Sequence, residues 1–129
     1  MYFVQQPFAP SLTCGLDFIK DLRTVTYKWK APSERPQELC GYNAEVTEPT
    51  HKEKMYGFIA QEVKAVLDAK NITDFNGWNI DENDGSQGIS YEMFVIPLVK
   101  AVQELSAENA ELKSLIKNST SFAKLKSSL

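Results

Sequence analysis

Apolar residues in the last third of the chain repeat with the spacing of a coiled coil. Between residues 98 and 116 they recur in alternating steps of four and three. This heptad pattern predicts a helix whose narrow apolar stripe packs against other helices. One stripe position is polar, which costs stability but can fix the register of the helices. The stripe, which we call the seam, consists of Leu98, Val102, Leu105, Asn109, Leu112 and Ile116.

Short helical and extended patterns alternate upstream of the seam. Residues 15–23 place Leu16, Ile19 and Leu22 on one face and predict a short helix. Residues 24–30 alternate strictly between apolar and polar, which is typical of a half-buried strand. Residues 56–60 predict a short buried strand, and residues 61–70 predict a helix. The apolar side of that helix holds Val63, Val66 and Leu67.

A β-hairpin is predicted just before the long helix. Asp84-Gly85 is a strong turn signal between Trp78–Ile80 and residues 88–90, so these two segments should pair as antiparallel strands. Pro97 then interrupts the helical pattern, because it lacks a backbone N–H. We therefore expect a kink that separates residues 91–96, packed through Phe94, from the seam helix.

The long segment 31–54 has no sustained period, and it contains three prolines and many charges. Such a loop is unusual in a compact domain and is either a functional arm or a disordered insertion. Leu39, Tyr42 and Val46 favour an arm anchored on a neighbour.

These patterns predict an α+β fold: a small antiparallel sheet with short helices and a long C-terminal helix that forms a coiled coil. The expected order is an extended arm (1–14), a globular domain (15–96) with the long loop 31–54, a coiled-coil helix (97–118) and a frayed tail (119–129).

Composition narrows the possible functions. A net charge of −3 and a pI near 5.2 argue against nucleic-acid binding through a broad basic face. No apolar run is long enough to span a bilayer. Cys14 and Cys40 are too few for a disulfide scaffold and are expected to be reduced thiols.

The sequence shows no catalytic or metal-binding constellation. His51 is the single histidine and falls in the proline-rich loop, so no triad or zinc site is predicted. The acidic residues Asp81, Glu82 and Asp84 fail the calcium-loop pattern, because Asp84 stands where glycine is required. Trp29 and Trp78 are interpreted as core or interface aromatics. No cofactor is expected.

The seam could instead pack on its own domain. A coiled coil is favoured because the flanking residues are polar, which keeps the stripe narrow: Gln103, Glu104, Glu108, Glu111 and Lys113. A β-branched residue alternating with leucine, together with the seam asparagine, would by itself suggest a dimer.

The order of motifs also resembles a known family. The runs GLDFIKDLR, VTYKWK, GFIAQEV (residues 57–63) and IPLVKAVQEL (residues 96–105) follow one another as in the C-terminal intramolecular chaperone domain of phage tail spikes and fibres. That domain is also called the endosialidase chaperone or peptidase S74 domain. The motif residues most similar to the family are Gly57, Phe58, Ile59, Ala60, Gln61, Glu62 and Val63.

The resemblance implies a function. Such domains bring three chains together, align the fibre part of the same polypeptide for folding and are then released by self-cleavage. It implies a homotrimer in place of the dimer that the seam suggests, and a site of action in the host cytoplasm during virion assembly, as part of a tail spike, fibre or neck appendage. Neither nucleic acid nor membrane is an expected partner. The long loop 31–54 would reach toward the fibre.

The chain departs from the family at the cleavage motif. Family members carry a Ser-Asp dipeptide before the first helix, with a lysine that supports the serine as general base. Here Ser11 is followed by Leu12, and no lysine precedes Lys20. Either the sequence begins beyond the cut or the motif is lost; we expect the first and assign no catalytic residue. Two alternatives are a self-cleaving serine peptidase and a generic oligomerisation module.

Overall fold

The computed structural model describes residues 14–119 and 121–129. Four α-helices and four strands make up its regular structure, and two 3₁₀ turns, Pro32–Glu34 and Tyr91–Phe94, lie between them. The fold is α+β, as predicted, with two separate two-stranded antiparallel sheets. In chain order the elements are α1 (Leu16–Ile19), β1 (Val25–Tyr27), β2 (Met55–Gly57), α2 (Ala60–Ala69), β3 (Trp78–Ile80), β4 (Gln87–Ile89), α3 (Val95–Asn118) and α4 (Phe122–Ser128).

The described residues form two compact units. The larger unit is Asp21–Phe94, with both sheets and α2. The smaller unit joins residues 14–20 to residues 95–119 and 121–129. Helix α1, which the sequence pattern predicts within the globular part, therefore packs on α3.

Each sheet of the larger unit is a single antiparallel ladder. Strand β1 pairs with β2, with Thr26 opposite Tyr56. Strand β3 pairs with β4, with Asn79 opposite Gly88. The hairpin prediction is confirmed, since the turn between β3 and β4 contains Gly85 at φ 74°, a conformation that glycine adopts readily.

Helix α2 follows the pattern of its apolar residues. Val63 and Leu67 are almost fully buried, as predicted. The helix ends at Ala69, and Asn71, just beyond the C-cap residue Lys70, has a left-handed φ of 55°. The backbone N–H of Ile72 donates to the carbonyl of Leu67 at 2.9 Å and that of Asn71 donates to Asp68 at 3.1 Å, which together form a Schellman cap.

A cluster of four aromatic rings holds the C-terminal end of the larger unit. Phe94 is buried, and its ring centre lies 5.1 Å from that of Phe58 and 5.0 Å from that of Phe75. Tyr91 stacks on Phe58 at 5.8 Å. The expectation that residues 91–96 pack through Phe94 is confirmed for Phe94 itself.

The smaller unit is built on the packing of α1 against α3. Phe18 is fully buried. Cys14 and the α3 residue Ala101 are almost fully buried. Gly15 lies so close to α3 that a Cβ there would meet the side chains of Lys100 and Glu104. The deepest side chain of α1 is thus Phe18, where the helical pattern had favoured Leu16, Ile19 and Leu22.

The first helix and the first strand are both shorter than predicted. Helix α1 ends at Ile19, because the following residues bind α2 instead: Asp21 pairs with Lys70 at 2.9 Å and Arg23 with Glu62. Strand β1 spans three residues because its ladder with β2 has only three pairs. Strand β2 is not buried as predicted, since Tyr56 is 72% exposed.

The prediction of a kink at Pro97 is wrong. Helix α3 begins at Val95, so Pro97 lies in its first turn, where the backbone N–H has no acceptor within the helix. The change of helix type falls earlier, between the 3₁₀ turn ending at Phe94 and α3. Because proline is tolerated at this position, the helix continues to Asn118.

The C-terminal residues also differ from the expected frayed tail. Residues Phe122–Ser128 form helix α4. The side chain of Ser121 caps it by accepting a hydrogen bond from the backbone N–H of Lys124 at 3.2 Å.

Segment 31–54 folds back on itself. The backbone N–H of Ser33 donates to Val46 at 3.0 Å, and that of Asn43 donates to Pro32 at 3.2 Å. Leu39 is half-buried, whereas Val46 is exposed. The segment therefore has its own turns, and whether it acts as an arm toward a fibre stays a prediction.

Candidate functional site

The seam lies on a side of α3 that the described chain leaves largely uncovered. Leu98 is 51% exposed, Val102 59%, Leu105 55%, Leu112 41% and Ile116 52%. Asn109, the polar member, is exposed as well. Exposed apolar side chains at heptad spacing over most of a 24-residue helix form a surface suited to other helices.

The buried side of the same helix is used differently. Pro97 and Ala101 are buried, and Lys100 and Glu104 lie beside Gly15 of the α1 region. The seam residues occupy other positions of the helical wheel. Helix α3 therefore packs within its own unit without using the seam.

The family motif 57–63 forms the turn from β2 into α2. Gly57 ends β2, Ile59 is the N-cap residue of α2, and Val63 is the first buried residue of that helix. The ring of Tyr91 lies over Gly57, so closely that a Cβ at this position would collide with its hydroxyl. Glycine is needed here because two chain segments meet at this point.

Tyr91 also makes a hydrogen bond that ties the motif to the segment before α3. Its hydroxyl accepts from the backbone N–H of Phe58 at 3.1 Å. Burial and the neighbouring Tyr91 raise the pKa of Tyr27, whose ring also approaches Gly57. The residues 57, 58 and 91 thus form one packed joint.

The first turn of α2 is held by an ion pair. The guanidinium of Arg23 donates to both carboxylate oxygens of Glu62, with Nε to Oε2 at 3.0 Å. This two-point contact holds the pKa of Glu62 below and that of Arg23 above their usual values. Glu62 of the motif therefore positions the segment between α1 and β1.

An open groove runs along the motif. It has a volume of about 730 Å³ and is lined by residues of β1, β4 and the start of α2. Exposed aromatic and aliphatic side chains border it, notably Trp29, Ile59 and Tyr91. Trp29 packs edge-on against Tyr27 at 5.4 Å, but it is 45% exposed and is therefore a surface aromatic, not part of the core.

A carboxylate joins the tip of segment 31–54 to the hairpin. Asp84 accepts from the backbone N–H of Cys40 at 3.0 Å and from that of Ser86 at 2.9 Å. These bonds hold the pKa of Asp84 well below its usual range, and the carboxylate in turn raises the pKa of the Cys40 thiol.

The described residues contain no gathering of three or more His, Cys, Asp or Glu side chains that could hold a metal ion. His51 is exposed and lies beside Trp29 and Arg35 at a small depression. Of the helices in residues 14–119 and 121–129, none has the length and apolar character needed to cross a membrane.

Fold and surfaces together define a small α+β module with a solvent-exposed helix stripe suited to assembly. The family model of Peptidase S74, described as the chaperone of endosialidase, matches residues 9–73, just over half of the chain. The chain belongs to this family. The match includes the run GFIAQEV at residues 57–63, and the run IPLVKAVQEL at residues 96–105 lies beyond it. Neither a curated protein nor a solved structure was found to match the chain.

Sequence reasoning missed two of the contacts that organise the larger unit. The sequence pattern identifies Asp84 only as part of a turn and Tyr91 only as part of a helix. Both bind backbone groups far along the chain, 44 residues away for Cys40 and 33 for Phe58. Gly57 is a local signal that could have pointed to a close neighbour, because glycine in a strand often marks a close approach of another backbone or side chain.

Proposed function

We propose that this chain is an intramolecular chaperone domain that assembles into a homotrimer through the seam of α3. The proposal rests above all on the exposure of the seam, whose five apolar members are each between 41% and 59% exposed. Membership of a chaperone family supports the same conclusion.

The seam alone gives only part of the free energy that assembly needs, so contacts outside the seam must contribute the rest. Covering the exposed half of an aliphatic side chain gains on the order of 1 kcal/mol. A helix of 24 residues is roughly 36 Å long, which is marginal for a coiled coil alone. The seam therefore needs further contacts, and the exposed apolar residues along the motif groove are suited to provide them.

Three copies are proposed although the seam pattern alone favours two. The alternation of β-branched residues and leucine, with Asn109, is typical of dimers. The resemblance to phage chaperone domains outweighs that preference. In addition, Val99 beside the seam is 46% exposed and widens the apolar surface at the N-terminal end of α3.

The partner that the chaperone acts on is the N-terminal fibre part of the same polypeptide, in a phage tail spike, fibre or neck appendage. Joining three chains at one end raises their effective concentration and aligns them. This lowers the entropic cost of starting an intertwined β-fold, whose non-local contacts form slowly and expose aggregation-prone surface. The proposed site of action is the host cytoplasm during virion assembly.

Release by self-cleavage completes the proposed cycle. Folding of the fibre becomes hard to reverse after cleavage, because the aligning element has left. The given sequence has no Ser-Asp dipeptide, so none of its residues is assigned to the cleavage step. A generic oligomerisation module would use the same seam, and the family match favours the chaperone over it.

The test uses the parent protein with this chain attached. Replacing Leu105 and Leu112 by Glu places charges in the seam, and we expect the fibre to misassemble. Gln103→Glu with Ala110→Glu is the matched control, because it adds the same two charges at the same spacing on exposed positions outside the seam. Native electrophoresis and electron microscopy of the fibre are the measurements. Normal trimeric fibres from the Leu105→Glu, Leu112→Glu variant would show that the seam is not the organiser.

A further inference from the structure

The polar residues beside the seam carry charges that form no ion pair within the described residues 14–119 and 121–129. The structure extends α3 to Val95, one heptad before Val102, and Val95 is 54% exposed. The heptad is thereby fixed: Val95, Val102, Asn109 and Ile116 occupy position a, and Leu98, Leu105 and Leu112 occupy position d. Glu108 then falls at position g and Lys113 at position e, the two positions that flank the seam.

Neither residue has a partner of opposite charge within reach on its own helix. The neighbours of Glu108 at three and four residues include Glu104 and Glu111 but no cation. Those of Lys113 include Lys117 but no acid. Both side chains are exposed, and in the described part of the chain neither forms an ion pair.

These like-charge neighbours destabilise an isolated helix. Pairs of equal charge four residues apart, such as Glu104 with Glu108 and Lys113 with Lys117, cost a few tenths of a kcal/mol each. The arrangement becomes favourable only when opposite charges are supplied from outside the helix.

A second copy of the chain supplies them in one orientation. In a parallel, in-register coiled coil, a residue at g lies beside the residue five positions later, at e, on the neighbouring helix. Glu108 and Lys113 are five residues apart. In an antiparallel pair g faces g and e faces e, so equal charges would meet.

Asn109 selects the same register. With the copies aligned, the Asn109 amides share one layer and hydrogen-bond to one another. A shift by one heptad would place each amide against Val102 or Ile116, where a buried polar group lacks a partner. The charge pair and the asparagine therefore exclude different misalignments.

We propose that Glu108, Lys113 and Asn109 form a register lock that aligns copies of this chain parallel and in register. The inference rests on the proposed assembly through the seam and specifies its geometry. Its consequence is that all copies begin α3 at the same level, so the segments that precede them start side by side.

Charge reversal tests the lock on the full chain. We expect Glu108→Lys and Lys113→Glu each to weaken assembly. The protein concentration at which half of the chains are assembled, measured by sedimentation velocity, should rise by about threefold or more. In the double variant, this concentration should return to within about twofold of the value for the original chain. Each single change also creates a favourable pair along its own helix, with Glu104 or Lys117, so a loss of assembly cannot come from a weaker helix.

Glu111→Lys and Lys117→Glu are the matched controls. They make the same charge changes at positions c and b, outside the seam, and assembly should stay within about twofold of the original. If the original chain assembles but the double variant is no better than the singles, the lock is wrong while the seam proposal stands. If the original chain stays monomeric, both are wrong.

A disulfide probe reports the register directly. In a chain with the exposed Cys40 replaced by serine, Val102→Cys keeps the lock and should form covalent dimers under mild oxidation, because parallel, in-register helices bring position 102 next to its copy. The same cysteine at the exposed, outward position Ala110 should not cross-link. Assembly without a 102–102 disulfide would overturn the parallel register.

Discussion

The hydroxyl of Tyr91 accepts a hydrogen bond from the backbone N–H of Phe58 at 3.1 Å. This contact joins the family motif to the segment that leads into α3. It also explains Gly57, since the Tyr91 ring occupies the space where any other residue would carry its Cβ. The motif is therefore a structural joint, formed by close approach of two segments.

Removal of the Tyr91 hydroxyl is expected to weaken this joint. Tyr91→Phe keeps the ring stacked on Phe58 but leaves the Phe58 N–H without its acceptor, and should lower the free energy of unfolding by about 0.5–1.5 kcal/mol. Chemical denaturation measures the change. Tyr56→Phe is the control, because Tyr56 is 72% exposed and should change stability by less than about 0.5 kcal/mol. Equal effects of the two substitutions would contradict the role of Tyr91.

Gly57→Ala should be more damaging, because the added methyl collides with Tyr91. We expect a loss of about 1–3 kcal/mol in the free energy of unfolding. The collision predicts coupling: in a Tyr91→Ala background, Gly57→Ala should cost clearly less. A double-mutant cycle measured by denaturation checks this, and strictly additive effects would show that Gly57 is required for another reason.

Asp84 is predicted to control both the Cys40 thiol and the tip of segment 31–54. Its hydrogen bonds raise the pKa of Cys40, so Asp84→Asn should lower that pKa and speed alkylation of Cys40 near pH 8. The pH–rate profile of alkylation, read at Cys40 by mass spectrometry, is the measurement. Glu82→Gln is the control, a carboxylate of the same exposed turn that should leave the profile in place. An unchanged profile in Asp84→Asn would contradict the contact.

The pH dependence of the same contact has a definite sign. The folded state lowers the pKa of Asp84, so the stabilising effect of this contact is complete above the ordinary carboxyl pKa of about 4 and is lost as the pH falls further. Hydrogen exchange at the amides of Cys40 and Ser86 should accelerate in that acidic range, relative to the Ile72 amide in the cap of α2.

The sequence predicted what depends on local periodicity and turn chemistry. The α2 face with Val63 and Leu67, the hairpin around Gly85 and the long C-terminal helix are all present. Its errors lie where tertiary contacts override local preference. Asp21 and Arg23 pair with residues of α2, which ends α1 early. Pro97 is a different case: the sequence pattern predicts it inside a helix, whereas α3 begins only two residues before it.

The same distinction between local patterns and long-range contacts applies to the candidate site. The seam was visible as a heptad repeat, because a stripe on one helix is a local pattern. Two other contacts were not visible in the sequence, because each brings together residues more than 30 positions apart. They are the joint of Gly57, Phe58 and Tyr91 and the link from Cys40 to Asp84. Such contacts leave no periodic trace in a single sequence.

The mass of the assembled chain tests the central claim most directly. Sedimentation equilibrium of the chain should give three times its mass of 14.5 kDa. Leu105→Glu with Leu112→Glu should give the single-chain mass, and the control Gln103→Glu with Ala110→Glu should stay trimeric. A single-chain mass for the original protein at about 100 μM would contradict assembly through the seam, and twice 14.5 kDa would contradict the trimer.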